Sequence, residues 1–365
     1  MNKKTICVIS TVHPDHDNRI LKQCKSLSLN FNVDLIIQSN KESIKGIKIR
    51  QLPIIKTRIS RALLFIKACK MSFSKKYNFY LIHDPELLVL SLILKISRRK
   101  VVYDIHEDYK EQILDKIWIN KYLRRIISLL FDKFEKFAVR RSYSVICATP
   151  FLEKKFIKFN QNTFGVYNYP PLLEFKKSFK TNIKRTSDVF RILYVGNISH
   201  ERGIFKILDA IKGIDCEFLL AGNFVDKGTE AKCESHSSWK KVNYFGYISR
   251  KQYSELLDIA DLGLLIFLPN GNHINAQPNK LFEYMSGGVF QLASNFPHWT
   301  KILEHNSIGL TVDPNRSDLI QAMILSVKKN KNFYNSKRPE IIKEFMKSYT
   351  WESQIPKLMK AFIDH

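Results

Sequence analysis

Short runs of aliphatic and β-branched residues alternate with longer stretches of helical period through the first half of the chain. Thr5–Ser10, Val33–Gln38, Phe79–His83, Lys100–Asp104 and Tyr143–Ala148 read as strands, and residues 17–29, 60–75, 86–97 and 117–141 have helical spacing between them. Alternation of this kind predicts a parallel sheet covered on both faces. The pattern breaks at Tyr169-Pro170-Pro171 and in the polar, Lys-rich segment to Asp188, where neither period holds. It restarts with Phe190–Val195 before Gly196, Cys216–Ala221 before Gly222, and Leu262–Ile266. Two α/β units joined by a proline-marked linker follow from this. In open α/β sheets ligands sit beyond the carboxyl ends of the strands, so two facing units predict a cleft between them.

Composition narrows the function. With 365 residues, 45% of them hydrophobic, the chain can bury more than one core, which excludes a small stapled domain and a disordered tail. Its 59 Lys and Arg against 34 Asp and Glu leave a net charge of +25. The excess is uneven: residues 1–180 hold 35 basic and 15 acidic residues, a net of +20, and residues 181–365 hold 24 and 19, a net of +5. A field of that sign attracts nucleic acid, an anionic membrane leaflet or phosphorylated substrates. The six cysteines lie far apart without a CxxC pair, which suits a reducing compartment. Met1-Asn2-Lys3-Lys4 and the strand after it do not read as a signal peptide, and the longest largely apolar run, Leu87–Leu94, is too short to span a bilayer.

The most informative stretch is Pro278-Asn279-Lys280-Leu281-Phe282-Glu283-Tyr284-Met285-Ser286-Gly287-Gly288. Pro278 suits the first turn of a helix and the two glycines suit its end. Asn279, Lys280 and Glu283 then share a face near the helix N-terminus, where anions are favoured. Lys280 strengthens that preference, and Glu283, one turn deeper, could accept from both hydroxyls of a ribose. The grouping suits a nucleoside diphosphate; a Lys–Glu pair on a solvated face is the competing reading. Tyr194–Gly203 predicts a strand, a polar turn and a helix, in which Gly196 and the backbone amides could approach a phosphate while Arg202 grips it; a plain turn after the strand is the competing reading. No strand is followed by GxGxxG or a Walker sequence, which argues against a nicotinamide dehydrogenase or a P-loop NTPase.

Together these residues resemble the retaining nucleotide-sugar glycosyltransferases of family 4, with the two-domain GT-B fold. The resemblance covers nearly the whole chain. It includes His13-Pro-Asp-His-Asp17-Asn-Arg19, His83-Asp84-Pro85-Glu86, Val102-Tyr-Asp104-Ile-His106-Glu107, the stretches at 194–203 and 278–288, and Tyr349-Thr-Trp351-Glu near the C-terminus. It implies two facing Rossmann-like domains: residues 1–170 bind the acceptor, 171–188 form a linker, and 189–346 bind the sugar nucleotide. Residues 347–365 form a helix crossing back to the first domain. Glu283 matches the family's ribose-binding Glu, and Arg202-Gly203 its Lys-Gly phosphate grip with Arg for Lys. The implied donor-binding set is Gly196, Asn197, Arg202, Gly203, Asn279, Lys280, Leu281 and Glu283. Asp17, Arg19, His83 and Asp84 are implied to serve the acceptor, although Asp17 could equally be an N-cap. Asn197 stands where the family has a phosphate-binding Arg, and Asn275 where it has the first Glu of a pair. The lost cation makes Lys280 the expected second positive charge on the diphosphate.

Departure of a nucleoside diphosphate develops charge on its β-phosphate, which Arg202, Lys280 and a helix N-terminus would stabilise. With these as catalytic groups no divalent metal or other cofactor is expected, and there is no DxD pair or HExxH. His13 and His16 form a loop pair without a third ligand. His106, the third catalytic candidate, follows a strand end and is expected at the cleft, where it would bond a donor-sugar hydroxyl or position an acceptor; a structural His beside Glu107 is an equal alternative. The stretch 116–141 carries apolar residues at Leu123, Ile126, Ile127, Leu130, Phe134 and Phe137 among many cations. Such a stripe is expected to pack on the domain's own sheet, with an anionic membrane interface as the alternative. The resulting expectation is a cytoplasmic enzyme, peripheral on the inner face of the plasma membrane. It would move a hexose-type sugar from a UDP- or GDP-sugar to a lipid-linked saccharide acceptor during surface-polysaccharide assembly, with no nucleic-acid partner. A sugar-nucleotide epimerase on the same scaffold and a basic nucleic-acid-binding protein are the alternatives.

Overall fold

The structure, a computed structural model, describes residues 3–363 apart from 45, 56–59, 117 and 173–188. The expected linker therefore lies outside the described residues except for Pro171 and Leu172, as does the first residue of the helix expected at 117–141. The chain divides into two units, Met1–Asn168 with Gln354–His365, and Tyr169–Ser353.

The first unit is built on β1 (Thr5–Pro14), α1 (Asn18–Leu27), β2 (Asn32–Gln38), β3 (Ser43–Ile44), β4 (Ile47–Leu52), α2 (Ser60–Phe73), β5 (Phe79–Ile82), α3 (Leu88–Ile96), β6 (Lys100–Ile105), α4 (Tyr109–Leu114), α5 (Lys121–Arg141), β7 (Ser144–Cys147), α6 (Pro150–Phe156) and β8 (Thr163–Gly165). Its eight-stranded sheet runs β3-β4-β2-β1-β5-β6-β7-β8 and is parallel except for β3 against β4. The central strands are buried on both faces, which is why they read as unbroken apolar runs rather than alternating ones.

The second unit holds β9 (Arg191–Val195), α7 (Ile204–Ala210), β10 (Glu217–Ala221), α8 (Lys227–Glu234), β11 (Val242–Tyr244), α9 (Arg250–Ile259), β12 (Leu262–Leu265), α10 (Gly271–Asn275), α11 (Asn279–Ser286), β13 (Phe290–Ser294), α12 (Pro297–Leu303), β14 (Gly309–Val312), α13 (Ser317–Lys329), α14 (Lys331–Ser336) and α15 (Arg338–Ser348). Its six strands are all parallel, in the order β11-β10-β9-β12-β13-β14. Tyr349–Glu352 belongs here: Trp351 N donates to Pro170 O at 3.0 Å, and the rings of Tyr169 and Tyr349 meet edge-on at 5.5 Å. The last helix, α16 (Ile355–Lys360), returns to the first unit. There Ser144 Oγ donates to Ala361 O at 2.7 Å, and Phe362 packs between Phe31 and Phe79.

In both sheets the strand order reverses direction at a central strand, β1 in the first unit and β9 in the second. Diverging crossovers leave the backbone open at the carboxyl ends beside such a strand, so this is where each unit can take a ligand.

One expectation is reversed. Most of the apolar stripe of α5 does not pack on the sheet: Leu123 is 50% exposed, Ile126 55%, Leu130 62% and Phe137 44%, whereas Ile127 is half-buried and Phe134 packs against the core, and Ser128, Asp132 and Glu135 are buried with Ala138 and Val139. The inner side of α5 supplies polar partners as well as core residues. Ser128 Oγ donates to Lys110 O at 3.0 Å, Tyr103 Oη donates to Glu135 Oε1 at 3.1 Å, and Lys155 lies 3.6 Å from Asp132.

Candidate functional site

In the second unit the site forms where β9 ends. Gly196 has φ +147°, and a Cβ placed on it would lie 3.4 Å from Arg202 Nη1 and 3.9 Å from Lys280 Cε. Two cations expected from separate motifs thus converge on one turn. Arg202 lies over the Phe267 ring at 5.2 Å, a contact that orients its planar guanidinium. Gly203 follows with φ +73°, and a Cβ there would run into the carbonyl oxygen of Ile266, so only glycine lets β12 approach the start of α7 this closely.

The helix carrying Lys280 is pinned to the same strand ends. Pro278 caps α11 and Gly287 ends it. From within the helix, Tyr284 Oη accepts from Val195 N at 3.2 Å, and Gln291 Nε2 donates to Leu281 O at 2.9 Å. Lys280 Nζ lies 2.5 Å from Glu283 Oε2, and Arg250 Nη1, at the start of α9, lies 2.7 Å from Oε1. Burial would push the Glu283 carboxyl up, but the two cations outweigh it and hold it down at about 2. The solvated Lys–Glu pair is therefore not what forms: the carboxylate is 4% exposed and shared between two bases. Asn279 is half-buried beside it, Asn197 is exposed with its carbonyl accepting from Tyr194 Oη at 2.7 Å, and Leu281 is fully buried in the core. Asn275 ends α10, its amide turned back to Gly271 O.

The first unit gathers a different set at the carboxyl ends of β1, β5 and β6. Asp104 is fully buried and receives Arg19 Nε at 2.9 Å, Arg19 Nη2 at 2.5 Å and Gln23 Nε2 at 2.8 Å. The Arg19 guanidinium holds its carboxyl well below the usual range against the opposing effect of burial. His83 Nδ1 and His106 Nε2 lie 3.2 Å and 3.1 Å from Asp104 Oδ2 and 3.0 Å from each other. Burial keeps the His106 ring neutral, more than Asp104 draws it toward protonation. His13, whose ring lies 4.9 Å from that of His106, moves the other way: burial lowers it, but Asp17 at 3.1 Å and Asp84 at 3.4 Å raise it further.

Two histidines and a carboxylate are a ligand set a transition metal can take, and the ligating atoms of His83, Asp104 and His106 lie within 4.8 Å of one another. Asp104 Oδ2 faces Arg19 Nε and Gln23 Nε2 as well as both histidines, so the oxygen is surrounded by hydrogen-bond donors and the set reads as a hydrogen-bonded network.

The second unit is similar in sequence to a known family. Residues 175–345 match the family described as Glycosyl transferases group 1. The match spans most of the second unit and a little under half of the chain. No curated protein matches the chain by sequence. Among solved structures it is similar to the sucrose-phosphate synthase of Thermosynechococcus elongatus, with a TM-score of 0.78, 14% identity and 98% of each chain covered. It is also similar to Anabaena HepE in complex with UDP and glucose, with a TM-score of 0.73, 12% identity and 98% of each chain covered. A third is the lipopolysaccharide outer core galactosyltransferase WaaB, with a TM-score of 0.63, 13% identity and the same coverage. At these identities the likeness shows the fold, which is GT-B.

Within the second unit the structure brings Gly196, Arg202, Lys280 and Glu283 to one place and adds Arg250, which no motif announced. Its only sequence signal was a basic residue after the helix-capping Ser249. In the first unit three acceptor candidates are buried. Arg19 is 4% exposed, with Asp104 and Val166 O as its partners. His83 is wholly buried. Asp84 is 1% exposed and ties down the end of β1, accepting from Ser10 Oγ and Val12 N at 3.1 Å each and from Thr11 N. Asp17 caps α1, accepting from Arg19 N and Ile20 N, so the N-cap alternative is the one that forms. His106 is the member of the network with an exposed edge, 13% of its side chain. His16 is exposed beside Asp15 and apart from any third ligand among the described residues.

Proposed function

We propose that the chain is a retaining glycosyltransferase of family 4 that moves a hexose-type sugar from a UDP- or GDP-sugar to a lipid-linked saccharide. Its setting is surface-polysaccharide assembly at the inner face of the plasma membrane. The observation that carries this reading is the convergence of Arg202 and Lys280 on the Gly196 turn, with the buried, charged Glu283 behind them. The turn brings two cations together, and their attraction grows with the charge on the departing β-phosphate, so the stabilisation is largest in the transition state. Supplying that charge from side chains removes the need for a divalent ion.

Glu283 has both oxygens engaged, yet each keeps a further lone pair for a ribose hydroxyl. Lys280, with three donors on a flexible stem, reaches a phosphate without leaving the carboxylate. The UDP and glucose in the complex of the Anabaena neighbour support a UDP-hexose donor. In the first unit His106, kept neutral and bonded through Nε2 to Asp104, has Nδ1 left to accept from a sugar hydroxyl.

The test is thermal unfolding with UDP-, GDP- and CDP-sugars. A ligand at a hundred times its Kd stabilises by about 2.7 kcal/mol, a shift of a few degrees. One nucleotide is expected to give that shift in the presence of EDTA, and Lys280→Ala to weaken it at least about tenfold, as expected for losing a charge-assisted bond. No shift with any of them sinks the donor site; conversion of the sugar nucleotide without acceptor would make the enzyme an epimerase.

A further inference from the structure

The outward apolar residues of α5 have counterparts on its neighbours. The crossovers β4-α2-β5, β5-α3-β6 and β6-α5-β7 all step the same way across the sheet, so right-handed connections set α2, α3 and α5 on one face. All three pack their inner residues into one core, among them Leu64, Ala68, Leu90, Leu94, Ala138 and Val139. Their outer residues are also apolar. On α2, Leu63 is 69% and Ile66 50% exposed; on α3, Ile96 is 83% exposed with Ile93 and Val89 beside it in sequence period. On α5, Tyr122 and Leu129 join the exposed stripe.

The charge on this face has one sign. Neither α2 nor α3 contains an acidic residue, and the two in α5, Asp132 and Glu135, are buried. The exposed charged residues are Arg61, Lys67 and Lys70 on α2, Lys95 on α3, and Lys121, Arg125, Lys133, Arg140 and Arg141 on α5. No helix among the described residues is long and apolar enough to cross a membrane.

We propose that the outer face of α2, α3 and α5 is a docking surface for an anionic lipid bilayer. The apolar residues enter the boundary between headgroups and acyl chains, and the flanking cations contact the headgroups. The inference builds on the reading of a lipid-linked acceptor and names the surface that brings the enzyme to it. A second copy of the chain is disfavoured as occupant because two such faces would oppose cation to cation. Nucleic acid would satisfy the charge and leave the apolar stripe in water.

The experiment uses the full chain and vesicles of phosphatidylcholine alone or with an equal part of phosphatidylglycerol. The parent is expected to float with the anionic vesicles only. Lys133→Gln with Arg140→Gln and Arg141→Gln should weaken that binding about a hundredfold, from roughly fivefold per cation. Arg124 is left intact because its guanidinium donates to Leu114 O at 2.7 Å and holds α4 to α5. Ile126→Ser with Leu130→Ser should weaken vesicle binding at least about tenfold. It should leave binding to a DNA duplex, which reads charge alone, unchanged. Both variants change exposed residues, so their unfolding temperatures should match the parent.

Vesicle binding by the Ile126 and Leu130 variant equal to the parent's overturns the proposal, as does a parent dimer that this variant converts to monomer. UDP-sugar binding, measured in parallel, separates the two readings. Its absence with vesicle docking intact removes the donor site alone, and its presence without docking removes this surface alone.

Discussion

Glu283 keeps its charge where burial would normally remove it. Desolvation alone would raise its carboxyl toward neutrality, and Lys280 and Arg250, one on each oxygen, bring it from 4.5 down to about 2. A group whose folded pKa is lowered contributes stability that is present above its unfolded value and is lost as pH falls through the folded one. The window here runs from about 4.5 down to about 2, and the contribution is of order 3 kcal/mol. Glu283→Gln is therefore expected to destabilise the second unit by about 2–3 kcal/mol at neutral pH, near the low end for a broken buried pair because Arg250 can return to water. The difference from the parent should vanish as pH approaches 2 in denaturant titrations; a difference constant across that range would mean the two cations do not hold the charge. The Lys280–Glu283 contact was legible because three residues of one helix fix it. Arg250 was not, since its approach depends on where α9 packs, and nothing local to residue 250 encodes that.

At the scale of single elements, α11 and α5 mark the two limits of a periodic pattern. α11 was readable to its ends because Pro278 and the Gly287-Gly288 pair punctuate it. α5 was readable as a helix, but its period says only that apolar and polar residues lie on opposite sides. Which side faces inward is set by Tyr103, Lys110 and Lys155, from three other elements or loops, which satisfy the polar side. That choice has a measurable consequence. Burial pushes the Glu135 carboxyl up to about 8, so the folded chain holds its proton while the unfolded chain has released it. Stability falls as pH rises between 4.5 and about 8. Glu135→Gln, which keeps the bond from Tyr103, is expected to match the parent near pH 5 and to exceed its stability by more than about 1 kcal/mol at pH 9. Equal unfolding temperatures at both pH values would contradict the buried proton.

For the molecule as a whole, the C-terminal return makes the first unit depend on residues far along the chain. Phe362 is 2% exposed, its ring 6.0 Å from Phe31 and 5.6 Å from Phe79. Phe362→Ala should destabilise the first unit by about 3–5 kcal/mol, the usual range for a buried Phe. Stabilisation of the second unit by nucleotide should be unchanged, which denaturant unfolding with and without UDP would resolve. A loss of nucleotide binding together with the stability would show that the units do not unfold separately. The sequence by itself determined the two α/β units, the helix that presents Lys280 and Glu283, and the basic excess of the first half, because each rests on residues close together in the chain or on composition. Only the tertiary structure decided that Arg202 and Lys280 share one turn, that Arg19, His83 and Asp84 are internal, and that α5 turns most of its apolar stripe outward. Each of these depends on groups brought together from distant positions, where burial and the partners at hand, rather than local pattern, set the balance of free energy.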